Sequence, residues 1–330
     1  MRPFEQLTPA GQIRRLRRVA LEAAAHYPWD VRLCSFVARS FNSLFRLDVA
    51  DGSRFALRVG ETERIHAEGS EQTEAGWLAA LRADRTVAVP RVVPTRDGHV
   101  TTAAGALGVP GQRLCMAFDW IEGRPLRRRP RPDLVGAMGR ISALLHEHAA
   151  RHAPPAPPRV LVADRVLYWR NEPRLDELIP VCGTILLEAV DRAQRAVDAL
   201  WRNPPHPPHL VHGDLGPSNV MVDRHRLVVI DFQDLFWGFE VQDLAITIGS
   251  LLRYPDPSEM VDAFRAGYRE VRPWPDLSPV TLDALIAARD LHQLNLGLNL
   301  RWPGLEEFVA AKVRSISIWM TRRPDRITPG

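Results

Sequence analysis

The stretch HLVHGDLGPSNVMVDRHRLVVIDF, residues His209 to Phe232, concentrates polar side chains beside short apolar runs. Asp214 lies in a glycine-containing turn, Asn219 opens the apolar run NVMV, and Asp231 follows the run LVVI. The pattern H-x-D-x₄-N, followed by an apolar strand and a second Asp, is more specific than any of its parts. A purely structural interpretation, in which these groups cap turns and satisfy backbone groups, suits a lone His-Gly-Asp better than the full set.

The two apolar runs predict a β-hairpin in which residues 219–223 pair with residues 227–231 around His225. In this register Asn219 lies opposite Asp231, and opposed residues have Cβ atoms about 4.5–5.5 Å apart. Amide and carboxylate oxygens suit a hard cation such as Mg²⁺, which takes one or two carboxylates together with phosphate oxygens. Asp214, on the loop that leads into the hairpin, is then close enough to orient a hydroxyl group. A register shift by one residue would instead turn one of the side chains away.

The composition is that of an ordinary globular protein. The 330 residues are 45% hydrophobic and 25% charged, with a formal net charge of +4, which predicts one large domain or two lobes. No apolar run approaches the length of a transmembrane helix, and the basic N-terminus lacks the apolar core of a signal peptide. The three cysteines are far apart, which predicts reduced thiols in a cytoplasmic protein.

The order of predicted elements indicates an α+β protein with two lobes. Residues 1–30 are predicted to form an N-terminal helix that is capped by Thr8 and has Pro at its first position. Residues 31–120 alternate short β-rich runs, one hairpin at Asp51-Gly52, a helix over residues 67–81 and a second hairpin. Residues 121–330 are mostly helical around the opening stretch.

The segments HGDLGPSN and VVIDFQD resemble the catalytic and metal-binding loops of the aminoglycoside phosphotransferase family. The similarity extends over roughly residues 30–250, through FALRV, TEAGWLAAL, MAFDWIEGRPL, ISALLHEH and VQDLA. It implies a protein-kinase-like fold with a small antiparallel N-lobe that contains one main helix and binds nucleotide. The larger helical C-lobe would carry the catalytic loop and the substrate-binding helices.

The resemblance implies a role for each matching residue. Asp214 would be the catalytic base or hydroxyl-positioning group, and His212 would buttress its loop. Asn219 and Asp231 would hold Mg²⁺ against the nucleotide phosphates. Arg58 would bind phosphate and pair with Glu74, while backbone groups from Asp119 to Ile121 would hold the adenine.

Three positions depart from the family pattern. Arg58 stands where the family often has a lysine, and only Lys312 is a lysine among the 43 basic residues. The loop VARSFNSLF has no glycine to cover the phosphates, although Ser40 and Asn42 are available. Gln233 stands where an acidic residue is common, although Asp234 follows it.

Together these features predict a Mg²⁺-dependent phosphotransferase that moves the γ-phosphate of ATP or GTP to a hydroxyl of a small molecule, as aminoglycoside, choline or homoserine kinases do. The alternatives are a protein Ser/Thr kinase of stress-response type and a non-catalytic nucleotide-binding pseudokinase. Neither nucleic acid nor membrane is an expected partner, because the basic run RPLRRRPRP reads as a solvated loop.

Several further histidines, amides and tryptophans have a possible functional interpretation. His148 and His152 stand one helical turn apart without a third ligand, which predicts a solvated helix end. Gln293 and Asn299 are candidates to bind a polyol. Six tryptophans are candidates to line a cleft: Trp169, Trp201, Trp237, Trp274, Trp302 and Trp319.

Overall fold

A computed structural model describes residues 2–152, 158–224, 226–300 and 304–322. The chain forms two compact units. The first comprises Met1–Arg64, Glu71–Gly123 and Asp223–Ile230. The second comprises Ile65–Ser70, Arg124–Val222 and Asp231–Gly330.

An antiparallel sheet forms the centre of the first unit. Its strands are β1 (Val31–Arg39), β2 (Ser43–Val49), β3 (Arg54–Val59), β4 (Val92–Val93), β5 (Thr101–Ala104) and β6 (Arg113–Asp119). The strand order is β1-β2-β3-β6-β4, and β5 also pairs with β6. Both predicted hairpins are confirmed, because β2 pairs with β3 around Asp51-Gly52 and β5 pairs with β6. Gly52 has φ +87°, the left-handed conformation that a glycine adopts at no steric cost.

Helix α1 (Pro9–Ala24) completes the core of this unit. The Thr8 side chain accepts a hydrogen bond from the Gly11 N–H at 3.2 Å, as the sequence predicts for this helix start. Its buried residues recur at helical spacing on one face that packs against the sheet: Leu16, Val19, Ala20, Ala23 and Ala24.

Helix α2 (Ser70–Ala83) begins three residues later than the sequence predicted. Gly69 has φ +80° and the Ser70 N–H donates to the Ala67 carbonyl at 3.2 Å, so residues 67–69 form a turn before the helix.

The second unit is mainly helical. Its helices are α3 (Pro132–Arg151), α4 (Ile179–Cys182), α5 (Ile185–Arg202), α6 (Glu240–Leu251), α7 (Pro257–Arg269), α8 (Pro279–Leu300) and α9 (Leu305–Thr321). Helices α3 and α7 approach closely at Gly139 and Gly267, where an added Cβ would overlap the backbone of the other helix. Only glycine permits this packing.

Six further short strands lie between helices along the chain, and the segment Asp223–Ile230 of the first unit contributes one of them. They are β7 (Arg124–Pro125), β8 (Leu161–Val162), β9 (His209–Val211), β10 (Val220–Asp223), β11 (Arg226–Val229) and β12 (Phe236–Gly238). One three-stranded sheet has the order β11-β10-β7 and the other β8-β12-β9. Strands β10 and β11 are therefore neighbours, as the predicted hairpin requires, although His225 at its predicted centre lies outside the described residues.

The α+β class predicted from the sequence is confirmed. Among the described ranges, no helix is both long and apolar enough to cross a bilayer. Cys34, Cys115 and Cys182 are free thiols.

Candidate functional site

The loop between β9 and β10 is shaped by Gly213. This residue has φ +80°, and an added Cβ would overlap the Asp234 carbonyl oxygen, so no larger side chain fits. Its N–H donates to Asp243 Oδ1 at 2.8 Å. The sharp turn fixes the backbone immediately before Asp214.

The Asp214 carboxylate is held from several sides and remains accessible. Asn219 Nδ2 donates to the Asp214 carbonyl at 2.9 Å and to Asp214 Oδ2 at 2.7 Å. The Asp214 N–H donates to His212 Nδ1 at 3.2 Å. The Asp214 side chain is 39% exposed. The carboxylate therefore has a defined orientation and one side open to a reacting group.

Arg289 on α8 bridges two carboxylates at this site. Its Nη2 donates to Asp214 Oδ1 at 2.9 Å and to Asp234 Oδ2 at 3.4 Å. The side chain is 8% exposed, and its guanidinium carbon lies 5.2 Å from the Trp169 ring centroid. His66 Nε2 contacts the other oxygen of Asp234 at 3.0 Å. The sequence prediction missed Arg289, whose one signal is an arginine among apolar neighbours in a helix.

The two carboxylates differ in their proton affinity. Although part of the Asp214 side chain is accessible, desolvation by the surrounding protein raises the pKa of its carboxylate, and the positive charge of Arg289 only partly opposes this. Burial also acts on Asp234, but His66 and Arg289 outweigh it and lower the pKa of Asp234 to about 2. Burial disfavours the charge of Arg289, yet Asp214 and Asp234 raise its pKa, so it remains a cation. Asp234 is thus a fixed anion, whereas Asp214 is the carboxylate better suited to take up a proton.

A network of buried hydrogen bonds supports this turn through Asp243. Asp243 Oδ2 lies 3.0 Å from His146 Nε2, and His146 Nδ1 lies 3.1 Å from the Tyr268 hydroxyl. Burial opposes ionisation of Asp243, but the hydrogen bond with His146 outweighs it and lowers its pKa. His212 is fully buried and packs on Phe232 with ring centroids 4.5 Å apart. The role of His212 as a support for the loop of Asp214 stays a prediction.

Asn219 and Asp231 flank the two hairpin strands, and the register that places them opposite each other stays a prediction. Strand β10 begins at Val220 and β11 ends at Val229, so both side chains lie just outside the strand ends. Asn219 turns its amide nitrogen to Asp214. The side-chain carbonyl oxygen of Asn219 is a hard ligand of the kind that Mg²⁺ binds.

Asp231 has an unusual backbone conformation. Its φ is +64°, a left-handed value that is uncommon for residues other than glycine and less costly for Asp and Asn. Such conformations persist where the surrounding structure imposes them, often at functional sites. A carboxylate at Asp231 and an amide oxygen at Asn219 are the ligand types that a hard divalent cation takes.

In the first unit, Arg58 and Glu74 form the pair that the sequence predicted. Arg58 Nη1 donates to Glu74 Oε1 at 3.0 Å and Nη2 to Oε2 at 2.5 Å. Glu74 is 2% exposed, and the Arg58 guanidinium carbon lies 5.2 Å from the Phe118 ring centroid. This bidentate contact fixes the Arg58 guanidinium in one orientation.

We expect Glu74→Gln to destabilise the protein by about 2–3 kcal/mol, because it leaves a mostly buried cation with a weakened partner. The matched control is Glu71→Gln on the same helix. Glu71 pairs at 2.9 Å with Arg64, whose side chain is 42% exposed, and an exposed pair contributes about 1 kcal/mol or less. Denaturant unfolding of both variants measures the difference. Equal losses would show that the Arg58 pair contributes no more than a surface pair.

The predicted adenine-binding segment follows β6. The Asp119 N–H donates to the Arg91 carbonyl at 2.9 Å, and its carboxylate accepts from the Arg91 side chain at 3.0 and 3.1 Å. Ile121 lies two residues beyond the strand end and is half-buried. Asp119 thus directs both its side chain and its N–H to Arg91, and the Trp120 N–H donates to the Arg54 carbonyl at 3.2 Å, so the adenine-binding role of this segment stays a prediction.

Other candidate residues have structural partners. Gln293 Oε1 accepts from Lys312 Nζ at 2.6 Å, and Asn299 Nδ2 donates to the Glu172 carbonyl at 2.9 Å. The predicted solvated helix end is wrong for His148, which is fully buried. Of the six tryptophans, Trp169 lies at the site beside Arg289, whereas Trp302 lies outside the described residues.

Comparison with known proteins agrees with this geometry. An uncharacterised protein of Deinococcus radiodurans is 30% identical over 77% of this chain and 76% of its own length. The structure of amicoumacin kinase hAmiN in complex with AMP-PNP, Ca²⁺ and Ami has a TM-score of 0.72 at 19% identity, covering 92% of this chain and 93% of that one. A microcompartment-associated aminopropanol kinase has a TM-score of 0.68 at 23% identity, covering 92% and 94%. These neighbours share the kinase-like two-lobe fold.

Residues 37–280 match the family described as "Phosphotransferase enzyme family". The match covers well over half of the chain and includes Arg58, Glu74 and the whole opening stretch. The chain therefore belongs to the phosphotransferase enzyme family.

Proposed function

We propose that the protein transfers the γ-phosphate of ATP or GTP to a hydroxyl of a small molecule, with Mg²⁺ as the metal. The observation that carries this proposal is the Asp214 carboxylate, which is held by Asn219 and Arg289 yet is 39% exposed. A nucleotide co-substrate is supported by the AMP-PNP bound to the related amicoumacin kinase.

Asp214 would orient the acceptor hydroxyl and accept its proton as the oxygen bonds to the γ-phosphorus. The bond from that phosphorus to the β,γ-bridging oxygen would break in the same transfer and release ADP or GDP. Phosphoryl transfer requires little covalent participation by the protein, so positioning and charge are the main contributions. Arg289 remains a cation beside Asp214 and keeps the carboxylate ionised and in place until the proton arrives.

On the nucleotide side, Arg58 would neutralise phosphate oxygens in place of the usual lysine, with Glu74 holding its orientation. Asn219 and Asp231 would hold Mg²⁺, which when bound neutralises phosphate charge as a Lewis acid. Backbone groups from Asp119 to Ile121 would receive the adenine or guanine ring.

Transfer of label from γ-labelled ATP or GTP to a panel of hydroxyl compounds tests this function. The panel should include amino alcohols, because an aminopropanol kinase is among the structural neighbours. We expect label in a small-molecule product and none on protein. Label on the chain or on added protein alone would favour the protein-kinase alternative. Absence of both nucleotide binding and transfer would favour the pseudokinase.

The acid limb of the pH–rate profile should lie above the ordinary range of an aspartate. Asp214 must be ionised to accept a proton, and burial raises its pKa, so activity should fall at a higher pH than an exposed Asp would give. Arg289→Met removes the cation that lowers this pKa and should move the acid limb to still higher pH.

The control for this shift is Arg253→Met, because Arg253 pairs at 2.8 Å with Asp290, not with Asp214. The measurement is kcat against pH for the wild type and both variants. An acid limb that is unchanged in Arg289→Met, or shifted equally in both variants, would contradict the assignment of Asp214 as base.

A further inference from the structure

A cluster of two imidazoles and one carboxylate lies in the second unit, outside the residues assigned to phosphotransfer. His206 lies in the proline-containing loop after α5, His209 begins β9 and Glu240 begins α6. Ligand atoms of all three lie within 4.8 Å of one another. Glu240 Oε2 is 2.6 Å from His206 Nε2 and 3.9 Å from His209 Nε2.

These three converging atoms have no hydrogen-bond partner among the described residues. His209 and Glu240 are 2% and 3% exposed, so water does not readily replace the missing partners. Even the close His206–Glu240 contact lacks the geometry of a hydrogen bond. Buried polar atoms without partners are rare because leaving them unpaired is costly, and each one calls for an explanation such as an ion.

A second polar atom of His206 and one of Glu240 are held by neighbouring groups, which directs the other atom of each toward the cluster. His206 Nδ1 lies 2.8 Å from the Pro207 carbonyl, which requires a proton on Nδ1, and in the neutral imidazole this tautomer places the lone pair on Nε2. Arg272 donates to Glu240 Oε1 at 3.3 Å, so the second oxygen, Oε2, faces the imidazoles. Metal-binding histidines characteristically donate their other ring nitrogen to a carbonyl or carboxylate.

The third nearby histidine is not part of the cluster. The His146 ring centroid is 6.2 Å from that of His209, and both of its nitrogens are engaged, by Asp243 and Tyr268. The cluster therefore has three protein ligands, and the 31% exposed side chain of His206 leaves room for a water as a fourth.

We propose that His206, His209 and Glu240 bind a divalent transition-metal ion, with Zn²⁺ as the ion that the ligand set suits. Two nitrogens and a carboxylate oxygen suit zinc, whereas Mg²⁺ and Ca²⁺ take oxygen ligands. Tetrahedral zinc with bonds of about 2.0–2.1 Å holds its ligand atoms roughly 3.3 Å apart. That spacing lies between the two distances measured to Glu240 Oε2.

An ion at this place would link β9 to the start of α6. β9 leads directly into the loop that contains Gly213 and Asp214, and α6 carries Asp243, which accepts from the Gly213 N–H. The site is structural in this assignment: it joins two elements that position the loop and does not touch the reacting groups.

The test uses the full chain, stripped with a chelator and dialysed, then titrated with Zn²⁺ and, separately, with Co²⁺. We expect about one Zn²⁺ per chain by elemental analysis, visible absorption of Co²⁺ in a tetrahedral field, and a higher unfolding midpoint with Zn²⁺. His206→Ala and Glu240→Gln should each weaken binding by at least about tenfold to a hundredfold.

Two controls separate this site from other sources of binding. His99→Ala removes an exposed histidine of the first unit, and Asp231→Asn alters the proposed nucleotide-metal site; both should keep full Zn²⁺ binding. Circular dichroism of His206→Ala, which alters a half-exposed loop residue, verifies that the variant folds. Zn²⁺ binding that is absent in the wild type, or unchanged in both ligand variants, would overturn the proposal.

Discussion

Asp214→Asn should lower the rate of phosphotransfer by about 10²–10⁴-fold, the usual contribution of a positioned general base. The amide cannot accept the hydroxyl proton, yet it has nearly the same shape and still offers an oxygen to Asn219 or Arg289. Nucleotide binding should therefore be nearly unchanged. The measurement is turnover with the acceptor that the label-transfer assay identifies, beside nucleotide affinity.

The matched control for this variant is Asp276→Asn, the same change at an exposed loop residue. It should leave turnover within about twofold of the wild type, as surface substitutions have small effects. An Asp214→Asn enzyme that retains near-normal turnover would remove Asp214 from the chemistry.

Asp231→Asn should reduce turnover by several orders of magnitude and weaken its dependence on Mg²⁺. The substitution keeps a residue type that tolerates φ +64° and removes the negative charge that would hold the cation. Loss of the metal's charge removes several kcal/mol of transition-state stabilisation and raises the activation free energy by that amount. The measurement is the rate as a function of Mg²⁺ concentration.

Backbone strain can be separated from metal binding by a second substitution. Asp231→Ala should lose as much activity as Asp231→Asn and in addition lose about 1–2 kcal/mol of stability, because alanine is disfavoured at positive φ. Asp256, exposed and with φ +54°, is the matched site for both changes. Asp256→Ala should lose a similar free energy of unfolding and retain activity. Unchanged Mg²⁺ dependence in Asp231→Asn would contradict the metal assignment.

The parts of the fold that local chemistry specifies were predictable from sequence. Thr8 and Pro9 define the start of α1, and Asp51-Gly52 defines a hairpin. Helix ends were predicted less well where one residue interrupts the helical pattern. Gly69 has a positive φ, so α2 begins at Ser70 and not at residue 67.

The parts of the site that long-range packing specifies were not predictable. Arg289 reaches Asp214 across 75 residues of sequence, and nothing in the helical pattern of α8 indicates which way that arginine faces. The hairpin register placed Asn219 opposite Asp231, but short strands leave both outside the ladder. The Arg58–Glu74 pair was found only because the family resemblance marked both positions.

Thermal unfolding with nucleotide is the most direct measurement of the central claim, that this chain uses a metal-bound nucleotide. The wild type should be stabilised by ATP or GTP only when Mg²⁺ is present, by about 2.7 kcal/mol at a hundred times the dissociation constant. Asp214→Asn should keep this stabilisation and Asp231→Asn should lose it. No shift with either nucleotide, or an equal shift in Asp231→Asn, would contradict the account.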